Sequence, residues 1–162
     1  MNLPHYFLAE PVHCSAAAGW HAEESVLEAE QALGLRYHSD CRGSSLFRPR
    51  LANGSLGTPQ IPVTLPTFDE IVGRRFGTDD DFNEIILRSF HEQALNVYTV
   101  HAEVEGILMA QAFSRLLRRA RRGSIEFQPL GRLLPENPAS LPAGQLTRGA
   151  VEGREGWVGV QQ

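Results

Sequence analysis

The chain has 162 residues, of which 42% are hydrophobic and 21% are charged, a composition that suits one globular domain with a substantial core. The net charge of −4 gives no reason to expect nucleic acid as a partner. No apolar run approaches the ~20 residues of a membrane-spanning helix, and the first residues lack the features of a signal peptide. These features predict a cytoplasmic protein in which Cys14 and Cys41 are reduced thiols.

The first quarter of the chain predicts a strand, a helix and a second strand. Residues 11–18 are small and apolar, which predicts a short buried strand. Residues 22–33 carry a helical apolar stripe in which Glu30 also falls. Residues 35–37 favour another strand, which ends at the polar segment 38–40. This order is typical of an α/β unit with parallel strands.

The glycine- and proline-containing segment 41–60 predicts a long surface loop, which three arginines make locally basic. The side chains of Arg42, Arg48 and Arg50 either face solvent or bind a phosphate or carboxylate group of a ligand. Both interpretations remain open at this point, because arginine serves solvated surfaces as well as anion sites.

The middle of the chain predicts one strand and two helices with N-terminal caps. The strand contains two prolines, which favour a strand end or a sheet edge. Each helix follows a polar side chain that can accept a hydrogen bond from the first helical turn. The predicted elements are a strand at 61–66, a helix at 68–74 capped by Thr67 with Glu70, and a helix at 80–94 capped by Thr78 or Asp79.

The stretch that follows holds the residues best suited to acid–base chemistry. Residues 97–100 favour a strand, and alternation along it would place His101, Glu103 and Glu105 on one face. Imidazole titrates near neutral pH, and a neighbouring carboxylate raises its pKa and fixes its tautomer. The group is therefore a candidate acid–base site, and the alternative is a half-exposed strand end with solvated side chains.

The rest of the chain predicts a helix at 107–122, a strand at 124–127 and a helical turn at 128–134. Arginines in the last turn of the helix either complement the helix dipole or contact an anionic membrane surface. Residues 135–162 predict an irregular tail packed on a main domain at 1–134. The side chains predicted to point inward from the helix at 107–122 are Leu108, Phe113, Leu116 and Leu117.

The alternation of elements predicts an α/β architecture with parallel strands, although the strands are few for a closed barrel. Dinucleotide-binding and phosphate-loop motifs are absent from the sequence. His38 and Asp40 lie one residue apart at a predicted strand end, where they could bind a metal ion together. Two ligands do not form a site unless a third comes from elsewhere, so the pair alone predicts no metal site.

Five sequence blocks resemble the NodB-type polysaccharide deacetylases, and within them the bacterial deformylases of 4-deoxy-4-formamido-L-arabinose-phosphoundecaprenol. The resemblance extends from about residue 11 to the end of the chain. It implies an α/β fold that is the C-terminal part of a distorted (β/α)7-type barrel, incomplete in this chain. The blocks are CSAAAGW at 14–20, SDCRG at 39–43, QIPVTLPT at 60–67, YTVHAEVEG at 98–106 and GREGW at 153–157.

The resemblance implies hydrolysis of a formamide on an amino sugar carried by undecaprenyl phosphate, a step in lipid A modification and polymyxin resistance. In the family, a divalent metal ion (zinc, cobalt or manganese) polarises the carbonyl group and activates a water molecule. Carried over by position, His101 resembles the general acid, and Asp40 resembles the carboxylate that tunes it. The resemblance places Trp20 in a block that lines the active-site groove, and Arg42, Glu103 and Glu105 are further predicted substrate contacts.

The family's metal ligands and catalytic base belong to blocks that precede the matched region, so the resemblance implies that this chain holds no metal ligand. It further implies that the chain acts with a complementing N-terminal half, or else is a non-catalytic fragment or a sugar-phosphate-binding module. The lipid-linked substrate implies peripheral association with the inner membrane.

Overall fold

The computed structural model describes residues 11–71 and 77–162, and these residues form two compact units. Unit 1 comprises residues 11–62, Leu134–Arg148 and Val158–Gln162, and unit 2 comprises residues 63–71, 77–133 and Gly149–Trp157. The chain enters unit 2 twice, so each unit combines segments that are distant in sequence.

Unit 1 is built from short strands, an α-helix and two 3-10 turns. The helix α1 (Glu24–Gln31) is shorter than the predicted helix at 22–33, and Gly34 beyond it has a φ of +63°. The other elements are β1 (Cys14–Ser15), a 3-10 turn (Ala18–Trp20), β2 (Tyr37–His38), β3 (Arg48–Pro49), a second 3-10 turn (Pro138–Ser140), β4 (Ala143–Gly144), β5 (Leu146–Gly149) and β6 (Val158–Gln161).

Three parallel backbone segments lie side by side in unit 1. β1 pairs with β2, so that Ser15 lies opposite His38, and His38 forms a parallel bridge to Gln60 on its other side. The N–H of Ser39 donates to the carbonyl oxygen of Ser15 at 3.0 Å, and the N–H of Ile61 donates to that of His38 at 2.9 Å. Parallel pairing aligns the carboxyl ends of the segments, which brings their polar residues to one edge.

The segment 41–60, predicted as a surface loop, is in part buried and paired. Phe47 is 1% exposed, and Leu51 is buried as well. The guanidinium group of Arg48 donates to the carbonyl oxygens of Leu56 and Gly57 at 2.8 and 3.0 Å. Arg48 therefore stabilises the backbone of its own loop. The two predicted alternatives for this side chain, exposure to solvent and binding of a ligand anion, give way to this structural role.

Strands also form in the part of the chain predicted as an irregular tail. β4 pairs in parallel with β3, and β6 pairs with β5. Val158 and Gly159 of β6 are buried. The sequence pattern did not predict these strands, because glycine and proline residues indicate turns. The strands form through backbone hydrogen bonds to partners that are distant in sequence.

Unit 2 contains helices packed around a small apolar core. Two of these helices, α3 (Asp79–Arg88) and α4 (Ala110–Arg122), are joined by ion pairs of Arg115 with Asp80 and of Arg119 with Glu84. The elements are α2 (Phe68–Ile71), α3 (Asp79–Arg88), a π-helical turn (Val104–Leu108), α4 (Ala110–Arg122) and a 3-10 turn (Leu130–Leu133). The core residues are Ile71, Phe82, Ile86, Met109, Ala112 and Leu116.

The structure shows the predicted capping box of α3 in full and only the Glu70 half of the one predicted before α2, where the hydroxyl of Thr67 donates to Asp69. The side chain of Thr78 accepts from the N–H of Asp81, whose carboxylate accepts from the N–H of Thr78, and the two bonds form a capping box at α3. The carboxylate of Glu70 accepts from the N–H of Thr67 at 3.1 Å at the start of α2. The predicted helix at 68–74 extends in part outside the described residues. The helix α3 ends at Arg88, before the predicted residue 94.

The predicted strands at 61–66, 97–100 and 124–127 are not regular strands. Pro62 and Pro66 lack the N–H groups that a ladder needs. The N–H of Val97 bonds instead to the side-chain oxygen of Thr64 at 2.8 Å. Ser124 has a φ of +62°, which is incompatible with an extended strand.

Two of the side chains predicted to point inward from α4 are exposed. Leu108 is 76% exposed and Leu117 is 37% exposed, whereas Leu116 is fully buried. The buried residues of α4 recur every four positions, and Leu117 lies about 100° around the helix from Leu116. Leu108 belongs to the π-helical turn before α4, where the helical phase differs.

The architecture is α/β, as predicted, with small sheets in place of a closed barrel. Each sheet that the described residues form has two strands. Within residues 11–71 and 77–162, no helix combines the length and the apolar character that crossing a bilayer requires.

Candidate functional site

Asp40 lies two residues after β2, at the edge where the parallel segments of unit 1 end. Its side chain is fully buried. One carboxylate oxygen, Oδ1, accepts from the N–H of Ala17 at 2.7 Å, and Oδ2 accepts from Nε2 of Gln60 at 2.6 Å. The N–H of Asp40 donates to Oε1 of Gln60 at 3.1 Å. These three bonds fix the orientation of the carboxylate.

Glu30 and His38 lie beside Asp40, and Ser15 connects them. The hydroxyl oxygen of Ser15 lies 2.7 Å from Nδ1 of His38 and donates to Oε1 of Glu30 at 3.3 Å. Nδ1 of His38 lies 3.6 Å from Oε2 of Glu30. Since the hydroxyl donates to Glu30, the consistent tautomer of His38 carries its proton on Nδ1.

The environment shifts the pKa of both side chains. Burial and, after it, the neighbouring Asp40 carboxylate together raise the pKa of Glu30 to about 8, although the hydrogen bond from the Ser15 hydroxyl lowers it. Burial lowers the pKa of His38, against the opposing effect of the Asp40 charge. Near neutral pH, Glu30 therefore retains a proton and His38 is uncharged.

The cluster has the donor set of a metal site. Glu30, His38 and Asp40 each offer one ligand atom, and these atoms lie within 4.8 Å of one another. Oε2 of Glu30 and Nε2 of His38 are shielded from solvent and have no hydrogen-bond partner. The sequence predicted no metal ligand in the chain, whereas these residues form a group that could hold a metal ion.

Trp20 and Arg42 also belong to unit 1, and they form a cation–π contact. The guanidinium carbon of Arg42 lies 5.4 Å from the centroid of the indole ring. Trp20 is only 6% exposed, and its φ of +57° is uncommon for a bulky residue. The predicted substrate contacts of these two residues remain predictions. The Trp20 ring face is already covered in this arrangement.

The predicted acid–base stretch belongs to unit 2, where it forms a turn and not a strand. The N–H of His101 donates to Oε2 of Glu105 at 2.8 Å, and the hydroxyl of Tyr98 donates to Oε1 at 3.0 Å. Glu105 is 1% exposed. Burial, and secondarily the charge of Glu105, raises the pKa of Tyr98. This carboxylate reaches back four residues, which stabilises the turn and excludes the extended strand.

The prediction that His101, Glu103 and Glu105 share one strand face is therefore wrong. Glu103 is exposed, His101 is partly exposed and Glu105 is buried. The carboxylate of Glu105 accepts from the hydroxyl of Tyr98 and from the N–H of His101, and its predicted substrate contact stays a prediction. Asp40 belongs to unit 1 and His101 to unit 2, and their joint role stays a prediction.

Comparison with known proteins gives two informative relatives. A protein of Shewanella sediminis named as a probable 4-deoxy-4-formamido-L-arabinose-phosphoundecaprenol deformylase, ArnD, is 44% identical over 152 residues, which are 94% of this chain and 48% of the relative. A protein of Wigglesworthia glossinidia brevipalpis with the same name is 37% identical over 163 residues, which are 99% of this chain and 57% of the relative.

The chain is homologous to ArnD-type deformylases. The resemblance noted in the sequence is thereby confirmed. The chain spans about half the length of the curated relatives that it matches. No protein-family model matches the chain.

Sequence reasoning missed three residues of the unit 1 cluster. Glu30 gave a signal, because a carboxylate within the apolar stripe of a helix predicts a buried acid with a partner. Ser15 and Gln60 gave none. They reach the cluster only through the pairing of β1 with β2 and the bridge from His38 to Gln60.

Proposed function

We propose that the chain forms part of an ArnD-type deformylase, which hydrolyses the formamide of 4-deoxy-4-formamido-L-arabinose linked to undecaprenyl phosphate. The supporting observation is identity of 44% and 37% over nearly the whole chain to two proteins that carry this name. Identity at this level, spread over the chain, supports a common fold and a common reaction type.

In this proposal, His101 donates a proton to the amine that leaves when the C–N bond breaks. Glu105 is a positioning residue, because its buried carboxylate accepts from the backbone N–H of His101 and so fixes the turn. Glu103 is exposed and remains a candidate substrate contact. The tuning of His101 by Asp40, which the family resemblance implies, stays a prediction that an Asp40→Asn variant tests through the pH dependence of turnover.

A bound divalent metal ion would supply Lewis-acid activation of the formyl carbonyl and of a water molecule. The family resemblance assigns the ligands of that ion to sequence blocks that precede the matched region, so the complementing polypeptide would supply them.

The proposal includes peripheral binding to an anionic membrane, because the substrate named for the relatives is lipid-linked. Ile107 and Leu108 are 78% and 76% exposed just before α4. Arg118, Arg121 and Arg122 are exposed on the same helix, where they can approach anionic headgroups. Binding to vesicles with and without anionic lipid tests this part, and a double change of Ile107 and Leu108 to Ser should weaken it.

The decisive experiment measures formate release from the lipid-linked formamido sugar. The full chain is assayed with zinc, cobalt or manganese, alone and together with a separately produced polypeptide that covers the remaining length of the Shewanella relative. His101→Gln should abolish release, whereas His91→Gln, at an exposed position, should leave it unchanged.

The result decides two points separately. Absence of formate release under every metal and complement condition would refute the deformylase proposal. Full release by the His101→Gln protein would keep the reaction but exclude His101 as the general acid.

A further inference from the structure

We propose that unit 1 binds a zinc ion through Glu30, His38 and Asp40. This site differs from the metal site that the family resemblance assigns to preceding sequence blocks. The inference rests on the geometry of unit 1 and does not depend on the deformylase proposal.

The distances within the cluster are close to those of a metal site. Tetrahedral zinc with ligand bonds of about 2.1 Å separates its ligand atoms by about 3.4 Å. The ligand atoms that the three residues offer lie within 4.8 Å of one another, and Nε2 of His38 is buried without a hydrogen-bond partner. Rotation of side chains by about 1 Å therefore completes the set.

Burial supplies the energetic reason for a cation. Asp40 and His38 are 0% and 1% exposed, and Oε2 of Glu30 has no hydrogen-bond partner while shielded from solvent. Two carboxylates in one desolvated pocket repel each other unless a proton or a metal cation lies between them. A divalent cation neutralises both carboxylates, and a proton neutralises only one.

The surrounding residues hold the ligands in place. Ala17 and Gln60 donate to the two oxygens of Asp40, and the Ser15 hydroxyl contacts both Glu30 and His38. Such secondary hydrogen bonds orient metal ligands and strengthen binding. A nitrogen ligand beside two carboxylates favours zinc over magnesium and calcium, which prefer oxygen ligands alone. Three protein ligands leave a fourth position for water or a ligand.

The test titrates the chelator-treated full chain with zinc chloride by calorimetry, and with cobalt chloride by visible absorption of tetrahedral cobalt. Wild type should bind one zinc ion. Glu30→Gln and His38→Asn should each weaken binding by at least about tenfold. Glu28→Gln and His21→Asn, at exposed positions, are matched controls and should bind as wild type does.

The thermal melt of each variant is recorded with and without zinc. A cooperative transition shows that the variant folds, and the difference in Tm shows whether zinc stabilises it. Zinc should raise the Tm of wild type and of both controls, but not that of folded Glu30→Gln protein. Failure of wild type to bind zinc would overturn the proposal. Unchanged binding by both ligand variants would also overturn it, because the ion would then lie elsewhere. Substrate is absent from these measurements, so failed turnover and failed zinc binding are distinguishable.

Discussion

Replacing Glu30 with glutamine should remove a pH dependence from the stability of the metal-free protein. The folded-state pKa of Glu30 is about 8, against an ordinary value of 4.5. Between these values the folded state retains a proton that the unfolded state releases, so the free energy of unfolding falls as pH rises. Glutamine resembles the neutral acid in shape and hydrogen bonding, and it carries no proton to lose.

His38 opposes this effect only at lower pH. Its folded-state pKa lies below the ordinary value of 6.5, so at low pH the unfolded state binds a proton that the folded state does not. The contribution of His38 to the free energy of unfolding therefore rises with pH up to about 6.5 and is constant above it. Between pH 6.5 and pH 8, Glu30 is the member of this pair that changes the stability with pH. At about 1.36 kcal/mol per pH unit, the wild type loses roughly 2 kcal/mol over this interval. Only 13% of the Glu30 side chain is exposed, so solvent screening reduces the value little.

The assay is urea unfolding followed by circular dichroism at the two pH values, with a chelator present. The difference in stability between Glu30→Gln and wild type should shift by roughly 2 kcal/mol in favour of the variant from the lower to the higher pH. The corresponding Tm difference is about 4–8 °C. Glu28→Gln serves as the control and should follow wild type. Parallel pH profiles of wild type and Glu30→Gln would refute the buried, protonated state of Glu30.

Further substitutions test unit 2 by urea unfolding. Glu105→Ala should lower the free energy of unfolding by about 3 kcal/mol, because the Tyr98 hydroxyl and the His101 N–H lose their acceptor. Glu105→Gln should lower it less, and equal losses would contradict this account. Gly153→Ala places a Cβ 2.0 Å from the carbonyl oxygen of Glu70 and should lower the free energy of unfolding by more than about 3 kcal/mol. Gly156→Ala is the control, since its Cβ meets open space at a similar φ, and it should lower the free energy of unfolding by about 1 kcal/mol. Thr78→Ala should cost about 1 kcal/mol through its lost cap, and a neutral result would refute the capping box.

Local signals in the sequence located the helices well and the strands poorly. Thr78 and Asp81 form the hydrogen bonds that cap the start of α3, and they lie within one turn of each other. A cap of this kind can therefore be predicted from neighbouring residues. The end of α3 was placed six residues too late, because the side chain of Asn96 exchanges hydrogen bonds with the backbone of His91 and closes a loop. Such a closure depends on the conformation of the loop itself, which apolar spacing does not encode.

The acid–base stretch shows why alternation misled the prediction. Residues 97–100 have the β-branched and aromatic side chains of a strand, but no continuous partner ladder forms, and Val97 bonds to residues 64 and 65. Glu105 then satisfies the N–H of His101 from within the turn. Strand propensity expresses how a residue fits a paired surface, so it fails where the pairing is missing.

The sequence by itself determined the α/β class, the capping box of α3 and the relationship to ArnD-type deformylases, because each is encoded in residue order or in neighbours a few positions apart. Only the tertiary structure decided that Glu30 joins His38 and Asp40, and that Glu105 is a buried acceptor for His101. These groups meet through strand pairing, side-chain closure and burial. The free energies of those contacts depend on distance and desolvation in three dimensions, which separation along the chain does not measure.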